Sequence, residues 1–398
     1  VLCAPGNPGI ARLARIQEAP LDNPEGLVGF ARRERVDLTI VGPELPLSLG
    51  IADQFAAAEL RLVGPTQRAA RLESSKAFAK AFMARHGVPT ARYQTCESLD
   101  QGLSAVRSER FGFPVVLKAD GLAAGKGVVI AKDLADAESA VVSAMRMRRF
   151  GAAGERLVVE ECLVGSEMSF FVLSDGTRAV PFGSAQDHKR AFDDDRGPNT
   201  GGMGAFAPSV LLDPTLNRRI MREIVKPVIA GMAAEGCPFC GFLYVGLMLT
   251  ADGPKVIEFN VRLGDPEAQV ILPLIDEPFV PLLLAAAEGR LSADPCRLGT
   301  DRLVGVVAAS RGYPESSESG QPIDGIDLAE HVSGVTVYHA GTAVRDGLLV
   351  TAGGRVLTIV GRATSYGDAI ARAYEGVSKI HFEGMHVRRD IGRKAVES

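Results

Sequence analysis

Hydrophobic and polar positions change rhythm along the chain. Near-continuous apolar runs stand at VDLTIVGPE (Val36 to Glu44) and LRLVGP (Leu60 to Pro65), each ended by Gly-Pro. Such runs predict parallel strands buried on both faces. Helical segments lie between them, such as Leu49 to Leu60, and VLCAPGNPG opens the chain as a strand followed by a loop. SSKAFAKAFMARHGVP (Ser74 to Pro89) predicts a helix with a Gly-x-Pro stop. A small α+β lobe follows over about 90–163, then strands and one long helix (Pro214 to Glu235) up to about Arg290. After Leu291 come strands and glycines: RLVGVVAASRGYP, VYHAGT and GGRVLTIVGRA. The last helix, Tyr366 to Lys379, is preceded by Ser365 with Asp368 three residues on, a capping pattern, and sets Ile370, Ala373, Tyr374 and Val377 on one face. GYPESSESGQP (Gly312 to Pro322) reads as a surface loop. The expected fold class is α/β and α+β multidomain. An N-terminal open parallel α/β domain spans 1–81, a two-lobed α+β domain 82–290, and a small β-rich domain 291–398.

Composition narrows this picture by exclusion. The 398 residues are 46% hydrophobic and 23% charged with a net charge of −4. That gives no electrostatic case for nucleic acid or an anionic membrane as partner. No apolar run approaches the ~18 residues of a spanning helix. Six scattered cysteines fit a reducing cytoplasm better than a disulfide framework. Cys237 and Cys240 form a CxxC, but no second ligand pair accompanies them, so two small buried hydrophobes are the expected reading.

Four segments carry candidate chemistry. In KADGLAAGKG (Lys118 to Gly127) three residues separate Gly121 from Gly125, and Gly127 follows Lys126 where a P-loop needs Ser or Thr. PVVLKAD before it and GVVIAKD after it predict instead a glycine-rich hairpin that folds over phosphates and donates backbone N–H groups. Lys118 would point toward phosphate or adenine. RLVVEECLVGSE runs an apolar strand into Glu160 and Glu161. The Glu160 side chain and the backbone of Glu161 and Leu163 suit adenine, and Glu167 suits ribose hydroxyls. In KVIEFNVRLGDPE, strand alternation puts Glu258, Asn260 and Arg262 on one face and Ile257, Phe259 and Val261 on the other. Glu258 and Asn260 offer oxygen ligands to a hard cation that takes phosphates for the rest of its shell. Arg262 could stabilise charge on a transferring phosphoryl group.

The fourth, QDHKRAFDDDRGPNTGGMGAFAP (Gln186 to Pro208), packs charged residues and four glycines into one irregular segment. Loops of this length are usually functional or disordered. Its GGMG run (Gly201 to Gly204) would let backbone approach a small ligand. His188 is expected to be a structural donor rather than a base. Asp193 to Asp195 and the arginines 146, 148 and 149 are expected to be solvated faces.

In this order the motifs resemble the ATP-grasp superfamily. QDHKR with GPNTGGMGA is similar, within it, to the phosphoribosylamine–glycine ligase family, over nearly the whole chain from APGNPG to RRDIG. The resemblance implies the two α+β lobes of an ATP-grasp fold. It also implies ATP, glycine and 5-phosphoribosylamine as substrates, and ligation through glycyl phosphate to glycinamide ribonucleotide. It carries ATP contacts onto Lys76, Lys118, Gly121, Gly125, Lys126, Gly127, Glu160, Glu161, Leu163 and Glu167. Glu258 and Asn260 become ligands of Mg2+ or Mn2+, and Arg262 with Lys118 the catalytic cations. Arg262 and the loop Thr200, Gly201, Gly202, Met203 and Gly204 border the acyl phosphate and glycine. Asp265 and Glu267 help hold the amine, and Lys189 and Arg190 its anionic parts. The expected state is a cytoplasmic monomer, with a weak homodimer as the alternative. Family members open with one more strand and a glycine-rich turn that holds the phosphoribosyl group. Without it the expectation is a weaker first domain and impaired amine binding, and an ATP-binding remnant becomes an alternative. Another ATP-grasp carboxylate–amine ligase, or a biotin-carboxylase-like enzyme, is a second.

Overall fold

The computed structural model describes residues 1–122, 127–292 and 294–397. Two antiparallel sheets position everything that follows. The smaller has four strands in the order Tyr93–Cys96, Leu157–Glu161, Val115–Ala119, Val128–Ala131. Side chains alternate along them, so Val115, Leu117, Ala119, Leu157 and Val159 pack against Ala105, Val106, Ala137 and Val141 of the helices Leu99–Arg107 and Leu134–Val141. The opposite parity, Lys118 and Glu160, is left on the uncovered face. Val115 pairs with Ala131 and Lys118 with Val128, so the predicted glycine-rich hairpin is formed. Its residues Gly125 and Lys126 lie outside the described residues.

The larger sheet has eight strands. In spatial order they are Gly253–Asn260, Cys240–Thr250, Ser166–Asp175, Ala179–Asp187, Gly204–Ala207, Arg302–Ala309, Arg355–Ala363 and Val335–His339. One face is covered by the helical run from Pro214 to Ala234, whose Ile220, Ile224, Val228 and Met232 share a core with Phe170, Val172, Leu243 and Val245. Leu47, Ile51 and Phe55 of the N-terminal region join this core. Parallel pairing there occurs as two separate pairs, Leu2–Cys3 with Arg15–Ile16 and Thr39–Ile40 with Leu62–Val63. The predicted final helix forms over Tyr366–Val377, with Ser365 accepting from the Asp368 N–H at 3.2 Å and donating to its carboxylate at 2.7 Å.

Two sequence expectations need correction. The stretch 186–208 is not one irregular loop. It contains a hairpin, Arg190–Phe192 with Arg196–Asn199, and then Gly204–Ala207, which enters the middle of the large sheet between Ala179–Asp187 and Arg302–Ala309. Three short strands among glycines and prolines present no period long enough to detect. The alternation along Gly253–Asn260 is also broken: Gly246 faces Glu258 while Leu247 faces Val256, so Ile257 is a bulge residue. Val256, Phe259 and Val261 line the core instead, and the strand ends at Asn260, before Arg262.

Candidate active site

The uncovered face of the small sheet meets the edge strand of the large one. Lys118 Nζ donates to the Ile257 carbonyl at 3.0 Å, one residue from Glu258. Glu160 lies between two lysines, ion-paired to both Lys118 and Lys80. All three are nearly enclosed, at 3%, 3% and 2% exposure for Lys118, Glu160 and Lys80. Lys80 also donates to Thr90 Oγ1 at 2.8 Å. Burial pulls the Lys80 ammonium down to about 8, against the pull of Glu160.

The helix Lys76–Arg85 aims its N-terminal residues at the hairpin. Ser75 caps it and bonds Asp120 at 3.0 Å; Asp120 also accepts from the Ala77 N–H at 3.0 Å. This brings Lys76 Nζ to 3.1 Å from the Gly121 carbonyl. Burial lowers the Lys76 pKa, with Glu258 opposing. The Gly127 carbonyl accepts from the Ala119 N–H at 2.8 Å and so closes the hairpin stem.

Glu258 is only half-buried by its neighbours. Burial alone would raise its pKa, but Lys189, Lys118, Lys76 and Arg262 outweigh it and hold the carboxylate ionised. Asn260 satisfies its surroundings when its amide nitrogen is assigned toward Glu73 Oε1 at 3.1 Å and the Phe259 carbonyl at 3.2 Å, with the amide oxygen on the other side. An ionised carboxylate and an amide oxygen two residues apart suit a hard divalent cation. Among the described residues no group of three or more His, Cys, Asp and Glu assembles to hold an ion alone. Any ion held there would draw the rest of its shell from other oxygens, such as those of water or a phosphate.

Arg262 turns toward the N-terminal region. It contacts Glu44 at 3.3 Å and Glu73 at 3.0 Å, and Nη1 donates to the Leu263 carbonyl at 3.1 Å. Burial pushes Glu73 up to about 7, with Arg262 opposing. At the far strand end Glu161 accepts from Arg92 N–H at 3.0 Å and Nε at 2.6 Å, and its own N–H is taken by the Arg92 carbonyl at 3.1 Å. Its side chain thus serves Arg92. Leu163 follows just beyond this strand end. Glu167 pairs with Lys189 at 2.8 Å. Burial would lower the Lys189 pKa, but Asp187, Tyr244, Glu167 and Glu258 hold it well above its ordinary value.

Behind Lys189 stands a buried polar cluster. Ser169 Oγ lies 3.0 Å from Tyr244 OH and 3.4 Å from Glu267 Oε1. Burial, with Asp187 adding repulsion, pushes Glu267 up to about 7. Asp265 is clamped from the C-terminal domain. Arg355 donates to its carboxylate at 2.8 Å, to its carbonyl at 2.7 Å and to the Gly201 carbonyl at 2.7 Å. Tyr313 OH accepts from the Gly201 N–H at 2.9 Å. Lys80, Glu73, Tyr244, Ser169, Tyr313 and Arg355 were not singled out from sequence. Lys80 inside the apolar run AFAKAFMA was the available signal; Glu73 among polar neighbours, Arg355 and Tyr313 gave none.

The segment 188–204 departs from expectation at several residues. Thr200 donates twice to the Lys189 carbonyl, N–H at 2.7 Å and Oγ1 at 2.9 Å. Arg190 donates to the Gly197 carbonyl at 2.8 Å. Met203 is fully enclosed in the C-terminal core with Phe206, Val304 and Val306, so its side chain is packing and not a substrate contact. The close approaches of the glycine run are to the chain itself. Gly202 has φ +112° and a Cβ there would sit 2.5 Å from Pro266 Cδ; one at Gly204 would sit 2.5 Å from the Gly305 carbonyl. Asp193 to Asp195 are not a merely solvated face, because all three bond the chain's last segment. Arginines 146, 148 and 149 remain exposed, and the cysteines of the CxxC are free.

His188 is 1% exposed and both ring nitrogens lack a protein partner. The expected structural donor role is therefore not seen in the imidazole. Burial, then Arg388 and Lys394, lower its pKa to about 4. The unfolded imidazole titrates near 6.5, so its contribution to stability is full above that pH and is lost as pH falls toward 4. His188→Gln should therefore flatten the fall in melting temperature between pH 6.5 and 4. An unchanged slope would show that His188 titrates normally in the folded chain.

The comparisons with known proteins agree with this geometry. The N, ATP-grasp (A) and C domain families of phosphoribosylglycinamide synthetase match residues 1–73, 74–268 and 303–394. A phosphoribosylamine–glycine ligase of Ralstonia nicotianae is 49% identical over 399 residues, covering 100% of this chain and 93% of that protein. The crystal structure of phosphoribosylamine–glycine ligase from Thermotoga maritima superposes with a TM-score of 0.84 at 33% identity, over 98% of this chain and 93% of that one. Biotin carboxylase from Campylobacter jejuni superposes at 0.75 with 16% identity, covering 100% of this chain and 89% of that one, a likeness of fold alone. The ATP-grasp family works with ATP and a divalent metal ion. On its sequence over the full length, its three matched domains and its fold, this chain belongs to the phosphoribosylamine–glycine ligase family, whose members form a carbon–nitrogen bond.

Proposed function

We propose that this chain joins glycine to 5-phosphoribosylamine with ATP, through glycyl phosphate, giving glycinamide ribonucleotide, ADP and phosphate. The observation that carries the reading is the contact of Lys118 with the strand of Glu258. It sets Lys118 of the small sheet against the edge strand of the large sheet that carries Glu258 and Asn260. ATP lies between them in this reading. Lys76, Lys118, Gly121 and Gly127 attend its phosphates, Glu160, Glu161 and Leu163 the adenine edge, and Glu167 the ribose. Glu258 and Asn260 would hold Mg2+ or Mn2+, which would offset charge on the phosphates.

A glycine carboxylate oxygen attacks the γ-phosphorus and the bond to the ADP oxygen breaks. Arg262 and Lys118 stabilise the charge that spreads over the moving phosphoryl group. The amine nitrogen of the second substrate then attacks the carbonyl carbon of glycyl phosphate. Phosphate leaves with the carbon–oxygen bonding pair, and the nitrogen sheds a proton. Thr200 and the glycine run border the acyl phosphate. Asp265 and Glu267 hold the amine, and Lys189 and Arg190 its anionic groups. The free cysteines fit a cytoplasmic setting, and among the described residues no helix is long and apolar enough to cross a membrane.

The test is ADP release with ATP and Mg2+. The expected result is full release only when both glycine and phosphoribosylamine are present, with glycinamide ribonucleotide in equal amount. Release driven by bicarbonate without glycine would overturn the reading in favour of a carboxylase-like activity.

A further inference from the structure

The hairpin Arg190–Phe192 with Arg196–Asn199 is held from the far end of the chain. Arg388 is buried, with a fully enclosed side chain. Its Nε and Nη2 donate to Asp390 at 2.8 and 2.7 Å, and its Nη1 to Asp195 Oδ1 at 2.9 Å and the Arg190 carbonyl at 3.1 Å. Around it the Arg389 N–H donates to Asp193 at 2.7 Å and the Asp194 N–H to Asp390 at 3.0 Å. Arg393 pairs with Asp194 and Lys394 with Asp195, each at 2.7 Å. The base of the hairpin is the Lys189 carbonyl with Thr200. The tip of the hairpin is thus fixed by a segment about 190 residues later in the chain.

A buried guanidinium is expensive to desolvate, and here it is fully compensated by carboxylates and a carbonyl. Its contacts converge on backbone and turn and not on any catalytic side chain. We propose that Arg388 is a positioning residue for the amine substrate. Together with Asp195 it fixes the hairpin and thereby the direction in which Lys189 and Arg190 face the anionic phosphoribosyl group. This inference rests on the assignment of Lys189 and Arg190 to that substrate.

Steady-state kinetics of the full chain test it with Arg388→Lys, Asp195→Asn, Asp195→Glu and Arg190→Met. Lysine cannot reproduce the forked donation. Asp195→Asn removes one charged partner at a half-exposed position and so keeps the test readable if Arg388→Lys fails to fold. Arg388→Lys and Asp195→Asn should raise the KM for phosphoribosylamine about tenfold while kcat and the KM for ATP stay within about twofold. Asp195→Glu should restore the wild-type KM. A raised amine KM in Arg190→Met with no change in Asp195→Asn overturns the positioning role alone. So does a loss in kcat and ATP binding of the same size as the loss in amine KM. An unchanged amine KM in Arg190→Met overturns the assignment of the hairpin, and the inference with it.

Discussion

Glu258→Ala is expected to lower ADP release dependent on glycine and phosphoribosylamine on the order of a thousandfold, with the fold intact. The expected severity follows from the electrostatics. Four cations keep this carboxylate charged, and Asn260 stands two residues further along the same strand. Alanine removes the negative oxygens that would hold a divalent ion against the phosphates. The fold should persist because the strand packs through Val256 and Phe259. The cations also keep other partners: Lys118 has Glu160, Lys189 has Glu167 and Arg262 has Glu73. The melting temperature should therefore move by the equivalent of about 1 kcal/mol or less. Turnover equal to wild type at saturating Mg2+ would remove Glu258 from the metal site.

Glu160→Ala should act in the opposite way, on the fold first. Its carboxylate separates two enclosed lysines, and losing it leaves both charged in a space that water does not reach. Breaking such a group by removing one partner costs about 3–5 kcal/mol. The deficit should shrink as pH rises. Against burial, Glu160 holds the Lys80 pKa up at about 8, so without it Lys80 gives up its proton at lower pH and the variant's stability climbs below about 8, where that of wild type does not. Above that value both climb together toward about 10.4. Urea midpoints from pH 7 to 10 measure both effects. A loss under about 1 kcal/mol at pH 7 would mean that the lysines find other compensation.

What could be read from the chain before its structure divides by distance along the sequence. The hairpin that carries Lys118 was legible because its strands are neighbours and both are strongly apolar. The cap at Ser365 was legible because it spans three residues. The Val256–Glu258 bulge was not, since one inserted residue shifts the faces without altering composition. Met203 looked like loop because glycines surround it, yet the strand pairing that begins at Gly204 pulls it into a core. Asp193 to Asp195 resembled a solvated run because their partners stand at 388–394. Arg355 and Tyr313 reach Gly201 from more than a hundred residues away, and nothing local marks them.

The strand Gly204–Ala207 joins the catalytic half of the large sheet to the C-terminal half by continuous pairing on both sides. Those two halves are therefore welded and share no hinge between them. The four-stranded sheet is tied to its surroundings by the enclosed Glu160–Lys80 pair and the bond of Lys118 to the Ile257 carbonyl, so any parting of the two sheets would have to break them first.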